Sequence, residues 1–136
     1  MTFTVIGTPA PQGSKRHVGR GIMIESSKKL KPWRDSVTHA AMAAHQGAAA
    51  LDCACVLNVM FFLIRPKAGK KEVAPRRKPD LDKLIRSTMD AITAAGIWTD
   101  DSRVVRIFAT KLFADQWEHK VPGAEIYIAE EEEEEA

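Results

Sequence analysis

Short runs of β-branched and aromatic residues alternate along the chain with two longer stretches of helical periodicity. The first run, Thr2–Thr8, predicts a strand, and Gly21–Glu25 predicts a second, shorter one. The near-continuous apolar run Cys53–Ile64 is typical of a central strand that is covered on both faces. Two more strands are predicted at Val104–Ala114 and Gly123–Ala129.

Two helices complete the pattern. Apolar residues at helical spacing predict a first helix that begins within Lys28–Leu30 and ends near Gly47. A second helix is predicted to follow Asp80, whose side chain suits an N-cap, and to end just before Gly96. The order β, β, α, β, α, β, β predicts an α+β fold in a single domain, with a mixed sheet of about four to five strands covered by two helices.

The length of 136 residues matches one compact domain of roughly 100–150 residues. The longest apolar run, Val59–Ile64, is far shorter than the ~20 residues of a membrane-spanning helix, and no secretory leader follows Met1. We therefore expect a cytoplasmic protein with no membrane partner. Cys53 and Cys55 are too close for good disulfide geometry and lack companion metal ligands, so buried free thiols are expected.

Charge divides the chain into a basic body and an acidic end. Six of the 18 acidic residues form Glu130–Glu135, so the rest of the chain carries 20 basic against 12 acidic residues, a net charge of +8. We expect a globular domain over residues 1–129 and a disordered acidic tail over residues 130–136. A basic body indicates a protein that binds a polyanion, and nucleic acid is the leading class.

The basic residues cluster in predicted loops. Lys15 and Arg16 follow a glycine and a serine, a mixture that suits phosphate contact but is equally ordinary in an exposed loop. The segment Arg65–Pro79 combines prolines with many basic residues and predicts a mobile cationic loop. The residues that we expect to contact DNA are Lys15, Arg16, Arg76, Arg77, Lys78, Lys83 and Arg86.

Five aspartates fall within 22 residues of a body that is otherwise basic. Asp80 and Asp82 flank one residue at a predicted helix start, where both carboxylates meet the positive end of the helix dipole. Asp100 or Asp101 is expected to return to the same region after the helix. Taken singly, each carboxylate also has a simpler interpretation: an N-cap, an i,i+4 pair with Arg86, or a turn.

Converging carboxylates repel one another unless a cation lies between them, and oxygen ligands of this kind suit Mg²⁺ or Mn²⁺. Beside a polyanion-binding surface, such an ion can polarise a phosphodiester and lower the pKa of an attacking water. The predicted reaction is therefore phosphodiester hydrolysis. Arg86, four residues after Asp82 on the same helix face, suits the binding of a phosphate.

Residues 78–104, KPDLDKLIRSTMDAITAAGIWTDDSRV, resemble the signature of the RusA family of Holliday junction resolvases, small endodeoxyribonucleases of bacteria and their phages. The shared features are D-L-D at a helix start, a basic residue four positions later, a helix end of the form D-A-(L/I)-T-x-A-G-(V/I)-W, and a D-D pair. The opening segment Gly7–Arg16 is also similar to that of the family. The resemblance thus covers most of the chain and ends at the acidic tail.

This resemblance implies a homodimer that binds four-way DNA junctions in a bacterial cytoplasm, from a bacterial or phage gene, and nicks two strands of like polarity with Mg²⁺. By position, Asp80, Asp82 and Asp101 match the metal-binding aspartates of the family, and Asp100 is a further candidate ligand. The family commonly has lysine where this chain has Arg86. Arginine keeps the affinity for phosphate but does not readily donate a proton.

Two other functions stay open at this point. One is a non-catalytic protein that binds branched DNA with the same surface, and the other is an adaptor subunit whose basic patch contacts an acidic protein. Trp33, Trp98 and Trp117 could stack on unpaired bases, but tryptophan more often anchors a core or a dimer interface. Trp98, next to the aspartate pair, is the one to test.

Overall fold

The computed structural model describes residues 1–13 and 20–132 of the chain. Four strands and two helices follow one another as β1 (Thr2–Ile6), α1 (Arg20–His45), β2 (Cys55–Leu63), α2 (Leu81–Ala94), β3 (Val104–Phe113) and β4 (Gly123–Glu130). This arrangement confirms the predicted α+β fold with a mixed sheet and two helices. None of the helices in the described ranges is both long and apolar enough to cross a membrane.

The sheet order is β1-β4-β2-β3. β2 pairs with β3 in parallel and with β4 in antiparallel orientation, and β4 pairs antiparallel with β1. Because α2 connects the two parallel strands, it runs back along the sheet in the opposite direction to both. The start of α2 therefore lies near the ends of β2 and β3, and the end of α2 lies near their beginnings.

Both helices pack on one face of the sheet. Trp33 of α1 and Leu84 and Ile92 of α2 belong to the same buried cluster as Phe61 of β2. The predicted covering of β2 on both faces is wrong for most of the strand, since Met60 on the opposite face is exposed. Residues 57–61 alternate between buried and exposed because only one face receives helices, whereas Phe62, on the face of Met60, is buried against Trp117.

The predicted short strand at Gly21–Glu25 is also wrong, because these residues belong to α1, which begins at Arg20 and contains Pro32 in its interior. A five-residue alternation is a weak signal, and an established helix gains one backbone hydrogen bond for each residue that it adds. The predicted DNA contacts Lys15 and Arg16 lie outside the described residues.

The first two residues of the predicted acidic tail are attached to the sheet. Glu130 is the last residue of β4, where it pairs with Cys55. Glu131 donates its backbone N–H to the carbonyl oxygen of Ala54 at 2.8 Å, and its side chain forms an ion pair with Arg106 at 2.8 Å. Both cysteines are free thiols, as expected; Cys55 is buried but Cys53 is partly exposed.

Candidate functional site

The predicted ligands Asp80 and Asp82 lie at the start of α2 and are called here the α2-start carboxylates. Asp80 is the N-cap residue in position, and its carbonyl oxygen accepts the N–H of Leu84 at 3.1 Å. Its side chain makes no capping hydrogen bond and instead approaches Lys83 Nζ at 3.2 Å. Asp82 is exposed in the first turn. Both carboxylates therefore face solvent and are available to a ligand.

Arg65 makes several contacts within the predicted cationic loop before α2 and with the end of β3. The guanidinium donates to the carboxylate of Asp115 at 2.7 and 3.2 Å and to the carbonyl oxygen of Glu72. It also lies over the ring of Phe113, 3.9 Å from the ring centroid. Arg65 thus has a structural role, because its donors are directed at the protein.

The predicted DNA contacts near α2 lie within four positions of Asp80 or Asp82 along the chain. Arg77 and Arg76 lie 2.8 and 3.6 Å from one oxygen of Glu72, a side chain that is only 12% exposed. Lys78 and Arg86 are exposed, and neither forms an ion pair with another described residue. The basic residues and the carboxylates therefore share one surface, which combines cationic groups for phosphate with oxygen ligands.

Lys111 of β3 is a site residue that the sequence analysis missed. Its ammonium group donates to the carbonyl oxygens of Arg77 at 2.8 Å and Pro79 at 2.9 Å. The sequence did contain a signal, because Lys111 alternates with Ala109 and Phe113 on the strand face that packs toward the helices. A lysine at such a position needs acceptors within the protein, and it finds them directly before Asp80.

The second pair of aspartates lies in the turn between α2 and β3. Asp100 accepts a hydrogen bond from the backbone N–H of Ser102 at 2.8 Å, and the hydrogen bonds from Ser102 hold the pKa of Asp100 below its usual value. The Oδ1 atom of Asp101 is hydrogen-bonded to the hydroxyl of Thr93, near the end of α2. The Thr93 hydroxyl in turn accepts the indole N–H of Trp98 at 2.7 Å.

Asp52 is a second residue whose contact with this turn the sequence analysis did not predict. Its Oδ1 atom accepts from Arg103 Nε at 2.8 Å and from the Thr99 hydroxyl at 3.0 Å. The hydrogen bond from Arg103 is the main cause of the lowered pKa of Asp52. No local pattern could have linked Asp52 to this turn, because the link depends on the bridge between Leu51 and Trp98.

The predicted convergence of the carboxylates within one chain is not observed. Asp101 contacts Thr93, eleven positions after Asp82 on α2, and this spacing corresponds to about 16 Å along a helix axis. Over the described ranges 1–13 and 20–132, no group of three or more His, Cys, Asp or Glu residues is arranged to hold a metal ion. Asp80 and Asp82 offer two exposed carboxylates, and this donor chemistry suits Mg²⁺, which is commonly held by one or two carboxylates with water and phosphate as the other ligands.

The three tryptophans are part of the core and are not base-stacking surfaces. Trp33 and Trp98 are each 1% exposed, and Trp117 is stacked against Phe62 with ring centroids 4.3 Å apart. Because Trp98 is buried, its ring is not exposed for stacking on an unpaired base. Its link to Asp101 is through its N–H group.

Comparison with known proteins adds an independent finding. The family described as endodeoxyribonuclease RusA matches residues 6–129 of the chain. An uncharacterised protein of Bacillus subtilis (strain 168), YqaN, is 28% identical over 143 aligned positions, which cover 96% of this chain and 96% of that protein. The family match includes the α2-start carboxylates and the Asp100–Asp101 turn, and it ends where the acidic run begins.

Proposed function

The chain belongs to the RusA family of endodeoxyribonucleases, and we propose that it resolves four-way DNA junctions by hydrolysing one phosphodiester bond in each of two strands. The observation that carries this proposal is the family match over nearly the whole chain. The exposed α2-start carboxylates, set among basic residues, support it. The same surface thus offers carboxylates for a metal ion and cationic groups for the DNA phosphates.

Phosphate binding is assigned to the basic residues around the start of α2. Arg86 and Lys78 are free of ion pairs with the described residues, while Arg76, Arg77 and Lys83 are paired with carboxylates. The pair of Lys83 with Asp80 is exposed on both sides and contributes about 0–1 kcal/mol, so a DNA phosphate can replace this carboxylate partner at little cost. Glu72 is only 12% exposed, and Arg77 and Arg76 therefore keep this partner when they contact a phosphate.

Metal binding is assigned to Asp80, Asp82 and Asp101, with Asp100 as a further candidate and Mn²⁺ as a substitute for Mg²⁺. When bound, such an ion polarises the phosphodiester and activates a water molecule. The side chains of the protein supply phosphate binding and charge neutralisation. Arg86 neutralises charge on a phosphate, and an arginine does not readily donate a proton.

A homodimer accounts for the separation of the carboxylates. Mg²⁺ binds oxygen ligands at about 2.0–2.1 Å, so one ion cannot join carboxylates at the two ends of α2, where eleven residues correspond to about 16 Å of helix. We therefore assign the complete ligand set to two chains: Asp80 and Asp82 of one protomer and Asp101 of the partner subunit. A two-fold symmetric dimer of this kind carries two equivalent sites, which suits the cleavage of two strands.

The deciding assay uses a four-way junction labelled on each strand in turn, with Mg²⁺ or Mn²⁺, and a linear duplex of the same sequence as the control. We expect paired nicks in the junction and none in the duplex. The absence of nicking with either ion would contradict the proposal. Tight junction binding without nicking would instead favour a non-catalytic protein that binds branched DNA.

Complementation tests the shared site. Asp82→Asn and Asp101→Asn should each be inactive alone, because each alters both sites of its homodimer. Mixed subunits form heterodimers in which one site keeps Asp82 from one chain and Asp101 from the other. Random exchange should restore about a quarter of the wild-type nicking, since half of the dimers then hold one intact site. No recovery after verified exchange would show that each site is built from a single chain.

A further inference from the structure

The carboxylate of Asp101 is hydrogen-bonded to a chain of two donors from the end of α2. The indole N–H of Trp98 is a donor only, so the Thr93 hydroxyl oxygen must be the acceptor at 2.7 Å. The single hydroxyl proton of Thr93 is then directed to Oδ1 of Asp101, because an ionised carboxylate only accepts. The direction of both hydrogen bonds is thereby determined: Trp98 to Thr93 to Asp101.

The donors are held in place by the turn after α2. Gly96 adopts a φ of +77°, and Ile97 and Gly96 donate their N–H groups to the carbonyl oxygens of Ile92 and Thr93, which closes the helix in a Schellman motif. This reversal places Trp98 against the core, where it is 1% exposed. The indole is therefore a fixed reference point for the Thr93 hydroxyl.

Only one oxygen of Asp101 is engaged by this arrangement. Oδ1 accepts from Thr93, and Oδ2 makes no hydrogen bond to any residue in the described part of the chain. A carboxylate held at one oxygen has a restricted rotamer, and its second oxygen is presented in a constant direction. That is the arrangement by which hydroxyl groups commonly orient a metal-binding carboxylate.

We propose that Thr93 and Trp98 are positioning residues, which orient Oδ2 of Asp101 toward the divalent cation of the site. This inference rests on the proposed metal-dependent function, and it assigns to Thr93 and Trp98 a role through Asp101 without contact to DNA or to the ion. Loss of the Thr93 hydroxyl should therefore weaken the response to metal and leave junction binding unchanged.

The same helix contains a matched control. Thr88, five positions before Thr93, accepts the indole N–H of Trp33 at 3.2 Å, and its hydroxyl contacts no carboxylate among the described residues. Thr88→Val and Thr93→Val each remove a hydroxyl that accepts a tryptophan N–H. Only Thr93→Val removes a hydrogen bond to Asp101.

The first experiment measures nicking of the junction against Mg²⁺ concentration for the wild type, Thr93→Val, Thr93→Ser and Thr88→Val, with junction affinity measured without divalent ions. Thr93→Val should raise the Mg²⁺ concentration for half-maximal nicking by about 10-fold or more, as expected for loss of a contact that orients a ligand. Thr93→Ser keeps the hydroxyl and should restore the wild-type value. Equal shifts for Thr93→Val and Thr88→Val would overturn the proposal, because they would reflect general loosening of α2.

A second readout does not depend on activity. The chain has three tryptophans, so ¹⁵N-labelled protein gives three indole N–H signals, and Trp98→Phe identifies the one that belongs to Trp98. Mg²⁺ should shift this signal in the wild type and in Thr93→Ser, and the shift should be lost in Thr93→Val and Asp101→Asn. If the wild type nicks junctions but its Trp98 signal does not shift with Mg²⁺, the inference is overturned and the proposed function stands. If the signal responds but no junction is nicked, the proposed function fails and the positioning of Asp101 stands.

Should Thr93→Val fail to fold, Trp98→Phe keeps the Thr93 hydroxyl but removes the N–H that restrains it, together with one ring of a side chain that is 1% exposed. Trp33→Phe, which removes the N–H bound to Thr88, is the matched control for the lost volume. Trp98→Phe should move the Mg²⁺ requirement in the same direction by a smaller factor. An unchanged Mg²⁺ requirement in Trp98→Phe would show that Trp98 is not a positioning residue.

Discussion

The side-chain ammonium group of Lys111 donates to the carbonyl oxygen of Pro79, the residue directly before Asp80, at 2.9 Å. A second donor of the same group reaches the carbonyl oxygen of Arg77 at 2.8 Å. The chain that enters α2 is thus attached to β3 by two hydrogen bonds from one charged group. The position of Asp80 depends on a residue that lies thirty-one positions later in the sequence.

Lys111→Met should lower both stability and nicking. The substitution keeps most of the side-chain length but removes two hydrogen bonds from a charged donor, so the free energy of unfolding should fall by about 2 kcal/mol. Lys120→Met is the matched control, because Lys120 donates to the carbonyl oxygen of Asp115 in a different loop. Chemical denaturation and junction nicking measure the two effects. Equal nicking by the two variants would show that Lys111 does not position Asp80.

Asp82→Asn should abolish nicking while the protein stays folded. Asp82 is exposed and forms no ion pair with a described residue, so the main structural loss is its favourable interaction with the helix dipole, about 0.3–1 kcal/mol. Junction affinity should be equal or higher, because one carboxylate near the DNA phosphates becomes neutral. Asp90→Asn, on the same helix, serves as the control for nicking. A near wild-type nicking rate in Asp82→Asn would show that Asp82 contributes to the helix start and not to cleavage.

Arg86→Ala should weaken junction binding and lower the slope of log affinity against log salt concentration by about one unit, as for one lost phosphate contact. Arg86→Lys should keep the binding and either keep or raise the nicking rate. A higher rate would mean that a lysine proton is useful at this position. Binding curves at several salt concentrations measure the slope, and an unchanged slope in Arg86→Ala would argue against a phosphate contact.

Removal of residues 132–136 should tighten DNA binding at low salt only. This truncation removes four glutamates but keeps Glu130 in β4 and Glu131 with its ion pair to Arg106. If the tail competes with DNA for the basic surface, the affinities of the two forms should converge at high salt, where charges are screened. Identical affinities across the salt series would show that the tail does not affect binding.

Thiol reactivity should distinguish the two cysteines. Burial is the main cause that raises the pKa of Cys55 to about 11, whereas an unfolded thiol ionises near pH 8.5. At pH 8, an aromatic disulfide reagent should therefore modify Cys53 in the native protein and Cys55 only after unfolding. Because the folded state holds the Cys55 proton more tightly, the free energy of unfolding should decrease between pH 8.5 and 11. Equal rates for both thiols in the native protein would contradict this assignment.

The elements that depend on local pattern were predicted well. The apolar run at Cys53–Ile64 became β2, and helical periodicity between Asp80 and Gly96 placed α2 to within one or two residues. Gly21–Glu25 failed because five residues of alternation do not distinguish a short strand from a helix that continues from its neighbours. The exposed face of β2 also escaped prediction, because an apolar run does not say on which side of a sheet the helices pack.

The sequence by itself determined which chemistry is present: two aspartates at a helix start, a second pair after the helix, and basic residues between and before them. Residue type and spacing are local properties, and they do not depend on how the rest of the chain folds. Only the tertiary structure decided which of these groups are neighbours. Asp101 lies at the far end of α2 from Asp82 because a helix extends about 1.5 Å per residue, and Lys111 meets Pro79 because β3 runs parallel to β2 beside the start of that helix.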